Sequence, residues 1–190
     1  MEQTLVLIKP DGVLRGLTGE IIARLEKSTL KLVGLKMVHA SKELAGKHYA
    51  DDEAWYRSVG EKAIAAAEKR GEKLSMSALD IGKLVRKRLV DFVTMAPVVA
   101  LVFEGNNAVA KVRAIVGATS PEQAAPGTIR GDLSTDSYAL SDLSARPIQN
   151  LIHASGSVEE GRREAALWFT QKELHSYKRT DESLIYRRGE

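Results

Sequence analysis

Leu5-Val-Leu-Ile8 and Val98-Val-Ala-Leu-Val-Phe103 contain no polar residue, and these two runs constrain the fold more than any other feature of the chain. Short apolar runs rich in β-branched residues and closed by turn formers have the pattern of strands buried inside a sheet. Neither approaches the roughly 20 apolar residues that a membrane-spanning helix needs. The first run stops at Lys9-Pro10-Asp11-Gly12, where proline and glycine punctuate the chain. With 190 residues, 44% hydrophobic and 28% charged, there is material for one ordinary globular domain or two very small ones. The absence of cysteine excludes disulfide scaffolds, thiolate metal centres and cysteine catalysis. Met1-Glu2-Gln3 shows neither the basic region nor the apolar core of a secretory signal, so a cytoplasmic setting without membrane contact is expected.

Further elements follow from periodicity. Ile21, Ile22 and Leu25 recur at helical spacing, and Val33, Leu35 and Met37 alternate as in a strand. Val109, Val112, Ile115 and Val116 form a helical stripe that ends at Gly117, a C-cap candidate. Asn150 to His153 reads as a last strand. Ser157-Val-Glu-Glu160 has capping-box spacing before a helix that would carry Leu167, Trp168 and Phe169. The order is strand, helix, strand, strand, helix, strand, with extra helix between the second and third strands. This predicts an α+β sandwich with helices on one face of a sheet.

The formal charge is +3, and its distribution is uneven. Arg57 to Asp91 holds nine basic and five acidic residues, a net of +4, so this segment carries the whole surplus. Within it, Leu84, Val85, Leu89, Phe92 and Val93 form an apolar stripe expected to face away from Arg86, Lys87 and Arg88. Residues 125–149 are rich in Pro, Gly, Ser and Asp, and a loop that long inside a domain is usually functional.

His153 is the first chemical candidate, because it leaves a strand and is followed by Ser155, Ser157 and a capped helix. Imidazole near neutral pH can act as nucleophile or general base; alternatively a strand-end histidine simply bonds a neighbour. Lys9 stands at the rim of the sheet, at the end of a buried strand. Arg113 lies beside the apolar stripe of its helix. Arg130 stands among Gly127, Thr128 and Gly131, where a guanidinium fork suits paired phosphate oxygens. Each of the three taken alone also fits an ordinary surface cation. His39 and His48 show no partner pattern and are expected to pack or cap locally, and His175 to lie at the surface.

Lys9-Pro-Asp-Gly12, Arg15-Gly16, Gly19-Glu-Ile-Ile22 and Leu32-Val-Gly-Leu-Lys36 resemble the opening of a nucleoside diphosphate kinase. Pro97-Val-Val-Ala100, Glu104-Gly105, Gly117-Ala-Thr119, Pro126-Gly-Thr-Ile-Arg-Gly-Asp132 and Asn150-Leu-Ile-His-Ala-Ser155 match in the same order. The resemblance covers nearly the whole chain apart from two insertions, near residues 54–82 and 133–146. It implies a single domain over 1–190 with a ferredoxin-like βαββαβ sandwich, a four-stranded antiparallel sheet with helices. It also implies transfer of the gamma-phosphate of ATP or another NTP to a nucleoside diphosphate through a phosphohistidine. In that reading His153 is the nucleophile, Glu164 orients it and Ser155 supports it. Lys9, Arg113, Thr119 and Arg130 match the phosphate-binding group, Asn150 the ribose contact, and Tyr49 the tyrosine near the histidine. Mg2+ is expected to be held mainly through the nucleotide phosphates. Assembly as a homo-hexamer or homo-tetramer is also implied.

Two departures from the family pattern stand out. Gly156 replaces the usual aspartate after Ser155, so no metal ligand is assigned to the protein. Val85 takes the place of the aromatic that stacks on the base, with Leu89 at the next base-contacting position, which predicts an aliphatic clamp supplemented by an insertion aromatic such as Tyr56. Rival readings are a catalytically impaired nucleotide-binding homologue and a nucleic-acid-binding protein that uses the basic 83–88 segment. Phosphate binding of the second kind would weaken steeply with salt.

Overall fold

The computed structural model describes residues 1–186; the last four residues of the expected 1–190 domain lie outside it. Four strands form one antiparallel sheet in the order β2-β3-β1-β4. They are β1 (Glu2–Ile8), β2 (Lys31–Val38), β3 (Val98–Gly105) and β4 (Ile152–Ala154). The two apolar runs pair with each other at the centre, Leu5 opposite Val102 and Leu7 opposite Ala100. The expected βαββαβ order is present, with helices between and after the strands.

The sheet is covered on both faces, not on one as the element order predicted. Val6, Ile8, Leu101 and Phe103 point toward α2 (Thr18–Glu26) and α6 (Ala108–Val116). Leu5, Leu7, Ala100 and Val102 point the other way, onto α3 (Lys42–His48) and α9 (Val158–Trp168). The reason lies in the opening feature of the sequence. A strand without polar–apolar alternation offers two apolar faces, and each must be buried.

Segments that read as turns also contain short helix. Pro10–Leu14 is α1, with Pro10 at the position where its missing N–H costs nothing. The long loop contains α7 (Ile129–Leu133) and α8 (Tyr138–Leu143). Its acids are paired one by one: Asp132 with Arg24, Asp136 with Arg146 and Asp142 with Arg70. Ser157 caps α9 by accepting from Glu160 N, but Glu160 returns its carboxylate to Gly156 N, so the capping box closes one residue early. Phe169 is the C-cap of α9, one residue past the helix.

The segment expected to hold the first insertion, near residues 54–82, lies in a helical hairpin of α4 (Glu53–Lys69) and α5 (Ala78–Val93). The two helices cross at glycines, where a Cβ on Gly60 would overlap the Ala78 backbone and one on Gly82 the Tyr56 backbone. Arg86 is half-buried and does not join Lys87 and Arg88 on a polar face. Its guanidinium donates to the carbonyls of Gly46 and Ala50 and pairs with Asp51. The expected trio of free cations is thus reduced, because carbonyls at the C-terminal end of α3 draw one of them inward. Among the described residues no helix is long and apolar enough to cross a membrane.

Candidate active site

The β1–α1 junction explains why Lys9-Pro-Asp-Gly12 has this composition. Lys9 N donates to the Leu151 carbonyl and the Asp11 carboxylate accepts from Leu151 N, so both peptide groups of Leu151 are fixed. Leu151 adopts φ +67, which such an anchor holds against its steric cost. Gly12 lies so close that a Cβ would come within 2.8 Å of Ile8 and 3.0 Å of the Leu151 carbonyl. This clamp aims the next strand, and the histidine on it, toward the rim of the sheet.

A pocket of about 320 Å³ opens there, lined by Lys9, Arg113, Thr119, Arg130, Asn150 and His153 among others. These side chains come from six separate elements or loops. The lining contains three cations and no carboxylate, which suits a polyphosphate. Lys9, 7% exposed, donates to Asn150 Oδ1 at 2.6 Å. Burial and then the nearby Arg130 charge lower its pKa to about 8. Asn150 Nδ2 donates to the Thr119 carbonyl at 2.7 Å, so the amide bridges the two sides of the pocket.

Arg130 is held differently from the sequence reading. Its guanidinium donates to four backbone carbonyls, those of Gly117, Ala118, Asn150 and Ile152, at 2.6 to 3.2 Å. A guanidinium has five N–H groups, so one remains for a ligand and a two-pronged grip on phosphate is not available. Burial lowers its pKa to about 10, and the guanidinium remains charged.

His153 Nε2 lies 2.9 Å from Glu164 Oε2, and Ser155 Oγ donates to the same oxygen at 2.7 Å. Glu164, only 1% exposed, projects from the inner face of α9. Burial pushes its carboxyl up, but the His153 hydrogen bond and charge, then His48 and Ser155, bring it below the ordinary glutamate value. An ionised carboxylate at Nε2 places the ring proton there and leaves the lone pair on Nδ1.

His48 was expected to pack locally, yet its ring centroid lies 4.6 Å from that of His153, at 83°. No motif flagged it, since its proximity arises only when α3 meets α9. Tyr49 follows it, edge-on at 4.9 Å, and burial keeps its phenol protonated. Tyr49, Val85 and Leu89 are half-buried and lie outside the pocket lining. Tyr56 instead bonds Asp51 through its hydroxyl.

His48, His153 and Glu164 place three metal-ligand-type atoms within 4.8 Å of one another. Hydrogen bonds among these groups, Ser155 and Trp168 satisfy the cluster without an ion. Near Gly156, a Cβ would stand 2.7 Å from Glu160 Oε2, so that carboxylate occupies the space a longer side chain would enter.

The family model described as "Nucleoside diphosphate kinase" matches residues 2–65 and 78–174, omitting between them the end of α4 and the turn before α5, while residues 133–146 lie inside the matched range. A nucleoside diphosphate kinase of Pyrobaculum aerophilum is 45% identical over 92% of this chain and 98% of its own length. One from Staphylococcus epidermidis is 43% identical over 98% of this chain and 99% of its own. Among solved structures, the NDP kinase from Pyrobaculum aerophilum superposes with a TM-score of 0.89 at 42% identity, covering 92% of this chain and 99% of its own. The Borrelia burgdorferi enzyme, solved as a transition-state mimic with vanadate and ADP, gives 0.79 at 36% identity, covering 97% of this chain and 96% of its own. Motif order, fold and relatives agree across nearly the full length, and the chain belongs to the nucleoside diphosphate kinase family.

Proposed function

We propose that His153 Nδ1 accepts the terminal phosphoryl group of a nucleoside triphosphate and passes it to a nucleoside diphosphate in the same pocket. The observation that carries this reading is the buried Glu164 carboxylate at Nε2, which leaves the Nδ1 lone pair as the nucleophile beside three cations. In the first half-reaction Nδ1 bonds to the terminal phosphorus and the P–O bond to the leaving diphosphate breaks. In the second, a terminal oxygen of the acceptor diphosphate attacks and the N–P bond breaks. One difficult transfer is thus split into two, and each product leaves before the other nucleotide binds.

Lys9, Arg113, Thr119 and the remaining N–H of Arg130 neutralise and position the phosphates, the main requirement of phosphoryl transfer. Glu164 balances the positive charge that develops on the imidazole, and Ser155 holds the carboxylate in line. Asn150 offers the ribose its second amide N–H. Val85 and Leu89 on α5 give the base an apolar contact in place of an aromatic one. With no carboxylate in the pocket lining, the chain's own residues do not fit a protein-held divalent cation. Mg2+ therefore belongs to the substrate, arriving as the metal–nucleotide complex and retaining several waters. We also propose a homo-oligomer, hexamer or tetramer, supported by Leu35 and Met37, which stand 52% and 62% exposed on the edge strand β2.

The deciding experiment is incubation with gamma-labelled ATP. Label on the protein should be acid-labile and base-stable, should transfer to any added NDP, and should be lost in His153→Ala. No label on the unaltered protein, or full label on His153→Ala, overturns the assignment.

A further inference from the structure

His48 closes α3 and is 3% exposed, with no part in the phosphate pocket. Trp168 Nε1 donates to its Nδ1 at 3.3 Å. Indole nitrogen can only donate, so His48 Nδ1 must present a lone pair, and the neutral ring carries its proton on Nε2. The same Nδ1 lies 3.6 Å from Glu164 Oε1, on the carboxylate that already holds His153 and Ser155. Two imidazoles therefore border one carboxylate. If His48 took a proton at Nδ1, it would claim that carboxylate and place a cation beside the ring that must itself become positive during transfer.

We propose that Trp168 and His48 are positioning residues: the indole N–H fixes His48 in its neutral tautomer and so reserves Glu164 for His153. This rests on His153 as the phosphoryl carrier. The surroundings act in the same direction. Burial, followed by His153, holds the His48 pKa at about 3, with Arg163 and Lys9 adding to the lowering and Glu164 opposing it. Tyr49 meets the His48 ring in a T-shaped contact as a neutral phenol. Arg86 on α5 is committed to the Gly46 and Ala50 carbonyls and to Asp51.

Nitrogen-15 NMR of the intact protein tests the tautomer without reference to catalysis. His48 should show an unprotonated Nδ1 and a protonated Nε2, with no titration between about pH 5 and pH 8. A protonated Nδ1, or titration in that window, overturns the proposal even if the kinase reading stands. The kinetic test is Trp168→Phe, which removes the donor and keeps an aromatic ring. Without the indole donor the neutral ring can carry its proton on Nδ1 and donate it to Glu164, so the rate of phosphohistidine formation should fall several-fold at pH 6 and pH 8 alike. In a His48→Phe background, where no ring nitrogen competes for Glu164, the same Trp168→Phe change should have no further effect. A rate unchanged by Trp168→Phe, or a loss that persists in the His48→Phe background, overturns it. If Trp168→Phe does not fold, the tautomer measurement on the unaltered protein decides alone.

Discussion

Lys9 holds a largely buried ammonium in the pocket lining, and its proton inventory is therefore coupled to both folding and binding. Because burial lowers its pKa from 10.5 to about 8, the charge destabilises the folded state. That cost, on the order of 3 kcal/mol, is fully present below about pH 8 and is relieved as pH rises toward the unfolded value. Bound phosphate supplies the missing countercharge and raises the pKa again. Nucleotide binding just above pH 8 should therefore take up a proton. Calorimetry in buffers of different ionisation enthalpy should detect it, and should find it lost in Lys9→Met. Gly156 leads to a different expectation. Glu160 Oε2 is the free end of a flexible side chain, so Gly156→Ala should displace it and cost only about 1 kcal/mol, the worth of the Gly156 N–H bond. A loss above about 3 kcal/mol in denaturant titration would contradict that. Lys9 and His153 stood out because each sits at a strand end in a short motif, whereas Asn150 and Glu164 were singled out only by the family resemblance. His48 was not, because its partners lie 105 to 120 residues away and no local pattern encodes them.

The α4–α5 hairpin is held by the absence of two side chains. Glycine inside a helix normally costs up to about 1 kcal/mol relative to alanine, so replacing it usually stabilises. Here Gly60→Ala and Gly82→Ala should do the opposite, since each Cβ meets backbone that cannot move aside. A loss of about 3 kcal/mol or more is expected, with hydrogen exchange rising throughout α4 and α5 while β1 and β3 stay protected. Equal protection of the hairpin in either variant would refute the close crossing. On the same hairpin, Val85→Asp with Leu89→Asp should raise KM for nucleotides at least about tenfold with kcat little changed, because the lost contact is shared by ground and transition states. The central strands, α6 and α9 could be read from periodicity and caps. Coverage of both sheet faces was present in β1 and β3 as missing alternation, but the element order alone pointed to one face. Arg86 was misplaced because a helical wheel places side chains by angle and does not register the carbonyls left open at the C-terminal end of α3.

The whole molecule ties its peripheral segments together. Arg70 at the end of α4 pairs with Asp142 in α8 at 2.8 Å, so the α4–α5 hairpin and the long loop meet each other as well as the core. On an exposed site this pair is worth less than about 1 kcal/mol. Light scattering should give a mass of six or four chains, and Leu35→Lys with Met37→Glu should lower it; a monomer at micromolar concentration would rule out the assembly. Pocket and fold are inseparable elsewhere. Arg130 fastens the segment after α6 to the start of the strand that carries His153 through four carbonyls. Exposed Arg113 has no comparable duty. The two arginines should therefore age differently in a lineage that no longer needs the activity. Arg113 is free to drift first, whereas a chain that loses Arg130 forfeits cellular abundance along with turnover. A silent descendant of this protein should still carry the arginine at the heart of its extinct phosphate pocket.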